Sequence, residues 1–198
     1  MTAVTGVVDA QVRAACARGD HAGAAELIVR AHTTEIVAYL GSLTRGVPER
    51  LDEAFSMWCE NVLRGVAGFQ FASSVRTWAY TIARNAAARC ARDHQRRTQR
   101  LTFGSLPDAV VAAARTETAD YLRTAMKERL ANVRASLADD ERELLHLRVD
   151  RQLTWREIEE IVREEGAPDD AAARTRREAA LRKRFESLKR RIKTHLAT

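Results

Sequence analysis

The stretch from Ser73 to Arg97, SSVRTWAYTIARNAAARCARDHQRR, constrains the fold of this chain more than any other. At helical spacing its apolar residues fall on one stripe, made of Val75, Trp78, Ala79, Ile82, Ala83, Ala86 and Cys90. A second set of side chains lies away from that stripe and consists of Arg76, Tyr80, Arg84, Arg89 and Arg92. The pattern predicts a helix with one buried face and one basic face that carries an aromatic residue.

A basic helix of this kind is suited to single-stranded or melting DNA. Cationic side chains bind phosphates, and flat side chains stack on bases that have left the duplex. Solvated helices of unrelated function also carry arginines, so the pattern alone does not establish DNA binding. Trp78 belongs to the apolar stripe, and we predict that it packs in the core rather than on a base.

The remainder of the chain also has the periodicity of helices, with no strand-like alternation of any length. Pro48, Pro107 and Pro168 each lie between apolar-periodic segments, where a residue that ends helices belongs. We therefore predict an all-α fold of two small helical domains, at residues 1–97 and 120–198. A flexible linker, rich in Thr, Gly, Ser, Pro and Ala, is predicted at residues 98–119.

The first segment, Val7 to Ser42, is interrupted at Gly19 and Asp20. Asp20 is predicted to cap the helix that follows, because an aspartate oxygen can accept from the free amides of a first turn. His32 falls in the apolar series of that helix. We expect it to be packed or at the edge of the core rather than a metal ligand.

The positive charge of the chain is concentrated in two stretches. Residues 84–100 hold six arginines against one aspartate, and residues 174–193 hold ten Lys or Arg against two glutamates, in a chain of net charge +6. Two basic elements on an otherwise acidic protein favour two contacts with a polyanion, with counterion release supplying much of the affinity. The alternative is two solvated helix faces.

Other functional classes are not favoured by the composition. No apolar run approaches the length of a membrane span, and the N-terminus lacks a signal peptide pattern, so we expect a cytoplasmic protein without membrane insertion. Cys16, Cys59 and Cys90 are widely spaced and indicate neither disulfides nor a zinc site. We find no pairing of nucleophile and base, and we expect no enzymatic activity, no metal and no cofactor.

The run SSVRTWAYTIARNAAARCARDHQRR resembles the segment of extracytoplasmic-function (ECF) sigma factors that opens and reads the minus-ten promoter element. The resemblance implies that Asn85, whose amide both donates and accepts, discriminates a base there. The implied minus-ten contacts are Phe69, Phe71, Arg76, Tyr80, Arg84, Asn85, Arg89 and Arg92. For Phe69 and Phe71, holding a flipped base and pinning the loop to the core both stay open.

The helix predicted after Pro48, ERLDEAFSMWCENVLRGVAGF, resembles the family's docking site for core RNA polymerase. The residues implied in that contact are Glu53, Ser56, Glu60, Asn61 and Arg64. This sequence departs from the family pattern, because Ser56-Met57 stands where Gln-Glu is usual, and Cys59 and Leu63 stand where Phe and Trp are usual.

The second domain has the pattern of a helix-turn-helix: a capping box at Thr154 and Glu157, a short helix, a turn and a basic helix. LADDERELLHLRVDRQLTWREIEEIV and ALRKRFESLKRRI resemble the family's minus-thirty-five domain. The implied contacts with duplex DNA are Arg182, Lys183, Glu186, Ser187 and Arg190. Two features depart from the family: about nine additional residues before Ala180, and Glu159 in place of a small Ala. We predict that the additional residues are helical and capped by Asp169 or Asp170.

The sequence thus favours an ECF sigma factor that binds core RNA polymerase and promoter DNA. An anti-sigma factor is a further partner that the resemblance implies, although no residue here indicates it. Because the sequence ends at Thr198, soon after the basic helix, no further C-terminal domain is expected. Two alternatives stay open: a helix-turn-helix regulator that does not bind polymerase, and a helical interaction protein with an acidic partner.

Overall fold

The computed structural model of the chain describes residues 2–101, 133, 136–164 and 166–197. Within these residues the protein is all-helical, without a strand, which confirms the all-α part of the predicted fold. The main elements are α1 (Thr2–Ala17), α2 (His21–Leu43), α3 (Pro48–Gly65), α4 (Val75–Leu101), α5 (Asp139–Leu145), α6 (Trp155–Val162) and α7 (Ala171–Ala197). A 3₁₀ turn follows α3 at Val66–Gly68, and a π-helical turn follows α5 at His146–Asp150.

The boundary between α1 and α2 lies where the sequence predicts it. Gly19 has a φ of +75°, a conformation that glycine adopts without steric cost. The Asp20 side chain accepts a hydrogen bond of 2.9 Å from the Gly23 amide and caps α2. His32, on the next turns, is 5% exposed, so its predicted packing is confirmed.

Helices α1 to α4 enclose a core to which α4 contributes its predicted apolar stripe. Val75, Ala79, Ala83, Ala86 and Cys90 are buried, and Trp78 and Ile82 are half-buried against them. The Trp58 indole of α3 donates to the Ala79 carbonyl over 3.1 Å, which satisfies a polar atom in the core. This hydrogen bond and the small residues of α4 fix the two helices in close contact.

We refer to helices α5, α6 and α7, which lie in the predicted second domain, as the second unit. The predicted capping box at the start of α6 is confirmed, since Thr154 Oγ1 accepts from the Glu157 amide while the Glu157 carboxylate accepts from the Thr154 amide. Leu181, Phe185 and Leu188 of α7 are buried. The Trp155 ring of α6 contacts the Phe185 ring edge-on at 5.6 Å between centroids. This contact joins α6 to α7.

The additional residues before Ala180 form the first turns of α7. Asp170 caps them, because its carboxylate accepts from the Ala173 amide over 2.7 Å, and this confirms the predicted helix and its cap. Glu159 of α6, 1% exposed, accepts from Arg177 of the extension over 2.6 Å. The two departures from the family pattern are therefore joined: the extension supplies the cation that neutralises the buried glutamate.

The two predicted domains are in contact. The second unit packs through α5 and α6 on α2 and α4, and buried apolar residues of both units belong to one cluster. Residues 98–101 of the predicted linker belong to α4. The rest of that linker, with Leu122, Met126 and Leu130 of the predicted second domain, lies outside the described residues.

Candidate nucleic-acid interface

The start of α4 is fixed by hydrogen bonds to side chains. The Ser74 hydroxyl accepts from the Thr77 amide over 3.0 Å, and Asp9 of α1 accepts from the Val75 amide over 3.1 Å. These acceptors satisfy two of the amides that a helix leaves free at its N-terminus. They set the rotation of α4, and with it the direction of every basic side chain that follows.

The basic face predicted for α4 is divided in two. Tyr80 is fully buried and the Arg76 side chain is only 12% exposed, so the prediction of a single outward face is wrong for these two residues. Asn85, Arg89 and Arg92 are exposed, as predicted. The physical reason for the difference is that α2 and the second unit cover the first half of α4.

Glu35 of α2 is the partner of the covered residues. It accepts from Arg76 Nε over 3.0 Å and from Arg76 Nη2 over 2.8 Å, a bidentate ion pair. The Tyr80 hydroxyl donates to the same carboxylate over 3.3 Å, and His32 Nδ1 lies 2.6 Å from its other oxygen. Glu35 thus contacts three polar side chains, and its own side chain is only 17% exposed to solvent.

The pKa values in this cluster follow from burial and charge. Burial alone would raise the pKa of Glu35, but hydrogen bonds from His32 and Arg76 outweigh it and lower the pKa to about 2. Burial and the charge of Glu35 raise the pKa of Tyr80. Burial acts to lower the pKa of Arg76, yet the bonds to Glu35 raise it. Glu35 and Arg76 are consequently a permanent ion pair at neutral pH.

A second carboxylate, that of Glu143 of α5, lies against α4 at Arg84. It is 6% exposed and accepts from Arg84 Nε over 3.0 Å and from the Tyr39 hydroxyl over 2.5 Å. Burial and the charge of Glu143 raise the pKa of Tyr39, so this phenol remains a donor. Arg84, expected to bind DNA, is therefore held by an anion of the second unit.

The loop before α4 places its aromatic rings in a stack. The Phe69 ring lies 4.6 Å from the Trp78 ring and 4.5 Å from the Phe71 ring, centroid to centroid. Phe71 has a φ of +56°, which a bulky residue adopts at a steric cost. Arg13 of α1 closes the stack, with its guanidinium 4.3 Å from the Phe71 ring centre. Phe69 and Phe71 thus pack the loop against Trp78 of α4.

The outward face of α7 agrees with its predicted composition. Lys183, Ser187 and Arg190 are exposed, and Glu186 pairs with Lys189 on the surface over 2.8 Å. Arg182 is half exposed and bonded to Glu178 over 3.0 Å. Arg184 and Arg191 are turned to the other side, where they pair with Asp140 and Glu141 of α5. Arg184 and Arg191 therefore hold α7 on α5, while Lys183 and Arg190 face solvent.

The surface of α3 presents a mixed face. Ser56, Glu60 and Arg64 are exposed, with an ion pair of 3.1 Å between the last two, while Glu53 and Asn61 are half-buried. Leu63 is 57% exposed beside them. An exposed leucine among charged side chains is a composition common at protein contacts.

Glu35, Glu143 and Arg13 have positions in this region that the sequence interpretation does not identify. Each acts through a partner far along the chain, at a separation of 41 residues for Glu35 and Arg76 and 59 residues for Glu143 and Arg84. The only sequence signal is the spacing of His32 and Glu35, three residues apart on one helix, which permits a hydrogen bond. The others need the tertiary fold.

No protein-family model matches this chain, and no curated protein matches it. Among the helices of the described ranges, none is both long and apolar enough to cross a membrane. No group of three or more His, Cys, Asp or Glu side chains in the same ranges has the arrangement of a metal site. The described residues combine exposed cations on two long helices, an aromatic stack, and two carboxylates, those of Glu35 and Glu143, which pair with Arg76 and Arg84.

Proposed function

We propose that this protein is a sigma factor of the ECF group, which binds core RNA polymerase in the bacterial cytoplasm and directs it to promoters. One observation carries the proposal: two long basic helices on one scaffold each expose polar and cationic side chains to solvent, Asn85, Arg89 and Arg92 on α4 and Lys183, Ser187 and Arg190 on α7. Two such surfaces suit two DNA elements. The chain supplies binding, and the polymerase supplies the chemistry.

In this proposal α7 reads duplex DNA at the minus-thirty-five element. A major groove admits one α-helix, and short polar or cationic side chains on its exposed face reach the base edges and phosphates. Ser187 and Lys183 are four residues apart on that face, with Arg182, Glu186 and Arg190 beside them. The pairing of Arg184 and Arg191 with α5 holds the helix from behind.

The exposed part of α4 takes the minus-ten element. Asn85 offers a donor and an acceptor to an unpaired base, and Arg89 and Arg92 one and two turns later bind phosphates. Phe69 and Phe71 would support a base that leaves the stack. Arg76, Tyr80 and Arg84 belong to the same proposed contact but are covered in this structure.

The exposed face of α3 is the proposed polymerase contact. Leu63 supplies apolar area, while Glu60 and Arg64 supply charge at its edge, and Ser56 leaves room for a partner side chain. Glu53 and Asn61 flank this surface. An anti-sigma factor, if the cell makes one, would compete for the same face.

The test is in vitro transcription with bacterial core polymerase on a genomic fragment library, with sequencing of transcript starts. We expect starts that share two spaced upstream elements. Binding to core without any starts would contradict promoter selection by this chain alone. Absence of both starts and core binding would favour the regulator alternative.

A single residue sharpens this test. Asn85→Ala should lower transcription from the cognate promoter at least tenfold and leave polymerase binding unchanged, because Asn85 is exposed on α4 and lies outside the proposed polymerase contact on α3. Gln95→Ala is the matched control, an exposed amide ten residues further along α4. Equal loss of transcription in both variants, or a parallel loss of polymerase binding, would contradict the role of Asn85.

A further inference from the structure

The extension of α7, residues 171–179, lengthens the exposed face that is proposed to contact duplex DNA. Arg176, Lys183 and Arg190 are exposed and follow one another at intervals of seven residues. Seven residues are nearly two turns of an α-helix, so the three cations lie along one line of its surface. At 1.5 Å per residue, Arg176 and Arg190 are about 21 Å apart along the axis, with Lys183 midway between them. The extension therefore adds a cation to one end of an existing face.

The extension contributes little to the hydrophobic core. Of residues 171–179, only Ala173 is buried. The segment is attached through polar contacts instead: Arg177 Nε donates to the buried Glu159 over 2.6 Å, and Arg177 Nη1 donates to the Pro168 carbonyl over 2.9 Å. A buried ion pair gives up the hydration of both charges, so its net contribution to stability is small even though removing one partner is costly. The contacts of Arg177 fix the direction in which the extension leaves α6.

Arg176 differs from the two other arginines of the extension. Arg174 pairs with Asp169 over 2.7 Å, and Arg177 pairs with Glu159. Arg176 is exposed and makes neither a hydrogen bond nor an ion pair with any residue that the structure describes. Its charge acts at longer range, since the Ala173 amide and Arg176 together lower the pKa of Asp170. The guanidinium of Arg176 is thus available to an anion outside the chain.

The length of this face can be compared with the dimensions of DNA. The major groove of B-DNA is about 12 Å wide, and phosphates line both of its rims. A straight helix whose exposed face measures about 21 Å between its end cations therefore reaches past both rims. Ala172 and Ala179 are exposed on the same side of the helix as Arg176. Because these side chains are short, a DNA backbone can come close to the extension.

We propose that the extension of α7 is an additional phosphate-binding element, in which Arg176 binds a phosphate at one rim of the major groove and Arg190 binds a phosphate at the opposite rim. The inference rests on the proposed function, because it takes α7 to be the helix that enters the groove. A guanidinium on a phosphate adds affinity and fixes the position of the helix without reading sequence. The extension consequently strengthens binding to every duplex by the same factor.

The first test measures duplex binding by fluorescence anisotropy at several salt concentrations, with the full chain alone and bound to core polymerase. One labelled duplex carries the upstream element that the transcript starts share, and the other has random sequence. Arg176→Ala should weaken binding to both roughly tenfold, as expected for one lost charge-assisted contact. The slope of log K against log salt should decrease by about 1.

Two further variants control this measurement. Lys193→Ala removes one positive charge from a different side of α7 and should leave the affinity close to that of the unaltered chain. Arg176→Lys keeps the charge and should retain the salt slope. Equal affinities and slopes for Arg176→Ala and Lys193→Ala would overturn the inference.

A second test locates the two phosphates. Single phosphates of the upstream element and its flanks are replaced, one at a time, by uncharged methylphosphonates. With the unaltered chain, replacements at the two rims should weaken binding. With Arg176→Ala, the replacement at one rim should have no further effect while the replacement at the other rim still does, and Arg190→Ala should show the reverse. The same sensitive positions in all three proteins would overturn the inference.

The two proposals fail in different ways. If Arg176→Ala binds both duplexes as well as the unaltered chain does, and core polymerase still gives transcript starts, the inference is wrong and the proposed function stands. If the random duplex is bound with the expected dependence on Arg176 but core polymerase is not bound, the inference stands and the regulator alternative replaces the proposed function. If neither duplex nor core polymerase is bound, both are wrong.

Discussion

Helices α4 and α7 are both 27 residues long and both basic, yet they differ in what holds their arginines. The inward arginines of α7 pair with acidic residues of their own unit, as Arg177 does with Glu159. On α4, Arg84 pairs with the other unit. The inward arginine Arg177 of α7 therefore pairs within its own unit, whereas Arg84 of α4 pairs across the contact between the units. The same composition on two helices thus leaves Lys183, Ser187 and Arg190 exposed on α7 but covers Arg76 and Tyr80 in the first turns of α4.

The largest effect on stability is expected at Arg177, near the N-terminus of α7. Arg177→Ala should lower the free energy of unfolding by about 3 to 5 kcal/mol, because it leaves the Glu159 charge buried without its cation. The second carboxylate oxygen of Glu159 already has no hydrogen-bond partner among the described residues. Urea unfolding followed by circular dichroism measures the change.

The adjacent Arg176 is the control for this prediction. It is exposed, and Arg176→Ala should change the stability by less than about 0.5 kcal/mol. Replacing both Glu159 and Arg177 with alanine should recover part of the loss, since the orphaned charge is then absent. Equal losses in the two single variants would show that Arg177 does not anchor the extension.

A somewhat smaller effect is expected on α4. Arg76→Ala should cost about 2 to 3 kcal/mol, less than at Arg177 because Glu35 keeps its contact with His32 and is 17% exposed. Arg89→Ala, at an exposed position on the same helix with only a loose pair of 3.9 Å, is the control and should be close to neutral. Similar denaturation midpoints for both variants would mean that Arg76, although covered, contributes no more to stability than the exposed Arg89.

Acid provides a third comparison, through Glu35, the carboxylate that pairs with Arg76 of α4. Its pKa is about 2 in the folded protein against an ordinary value of 4.5, so its stabilisation is complete above pH 4.5 and is lost as the pH falls towards 2. We expect a loss of roughly 2 kcal/mol over that interval, measured by urea unfolding at several pH values.

Glu35→Gln should remove this part of the acid dependence and lower the stability at neutral pH. Glu26→Gln, on the exposed face of the same helix, is the control and should keep the acid dependence of the unaltered protein. An unchanged acid profile in Glu35→Gln would mean that other carboxylates govern the loss.

Much of the fold follows from local sequence rules. The all-helical class, the Asp20 cap, the capping box at Thr154 and the apolar stripe of α4 depend on residues a few positions apart, and periodicity records them. The helical extension of α7 was predictable for the same reason, since Asp170 and a run of good helix formers follow Pro168. The joining of that extension to Glu159 requires knowledge of where α6 and α7 cross.

The candidate site was less predictable, because α4 has neighbours on more than one side. Its apolar stripe identifies the face buried against α3, but Tyr80 and Arg76 are buried against Glu35 and the second unit. Polar side chains with buried partners look like solvent-facing ones in a sequence, since an ion pair across 41 residues leaves no periodic signal. The outward residues of α7 were predictable because the opposite face of that helix is occupied by a regular apolar series.

The smallest effect on stability, and the sharpest test of the difference between the helices, is expected at Lys183. Lys183→Ala should change the free energy of unfolding by less than about 0.5 kcal/mol, because the side chain is exposed. If it contacts a phosphate, binding to the promoter duplex should weaken, and the slope of log K against log salt should decrease by about 1. Lys193→Ala, a cation on a different side of α7, is the control. Equal salt slopes for Lys183→Ala and Lys193→Ala would contradict a phosphate contact at Lys183.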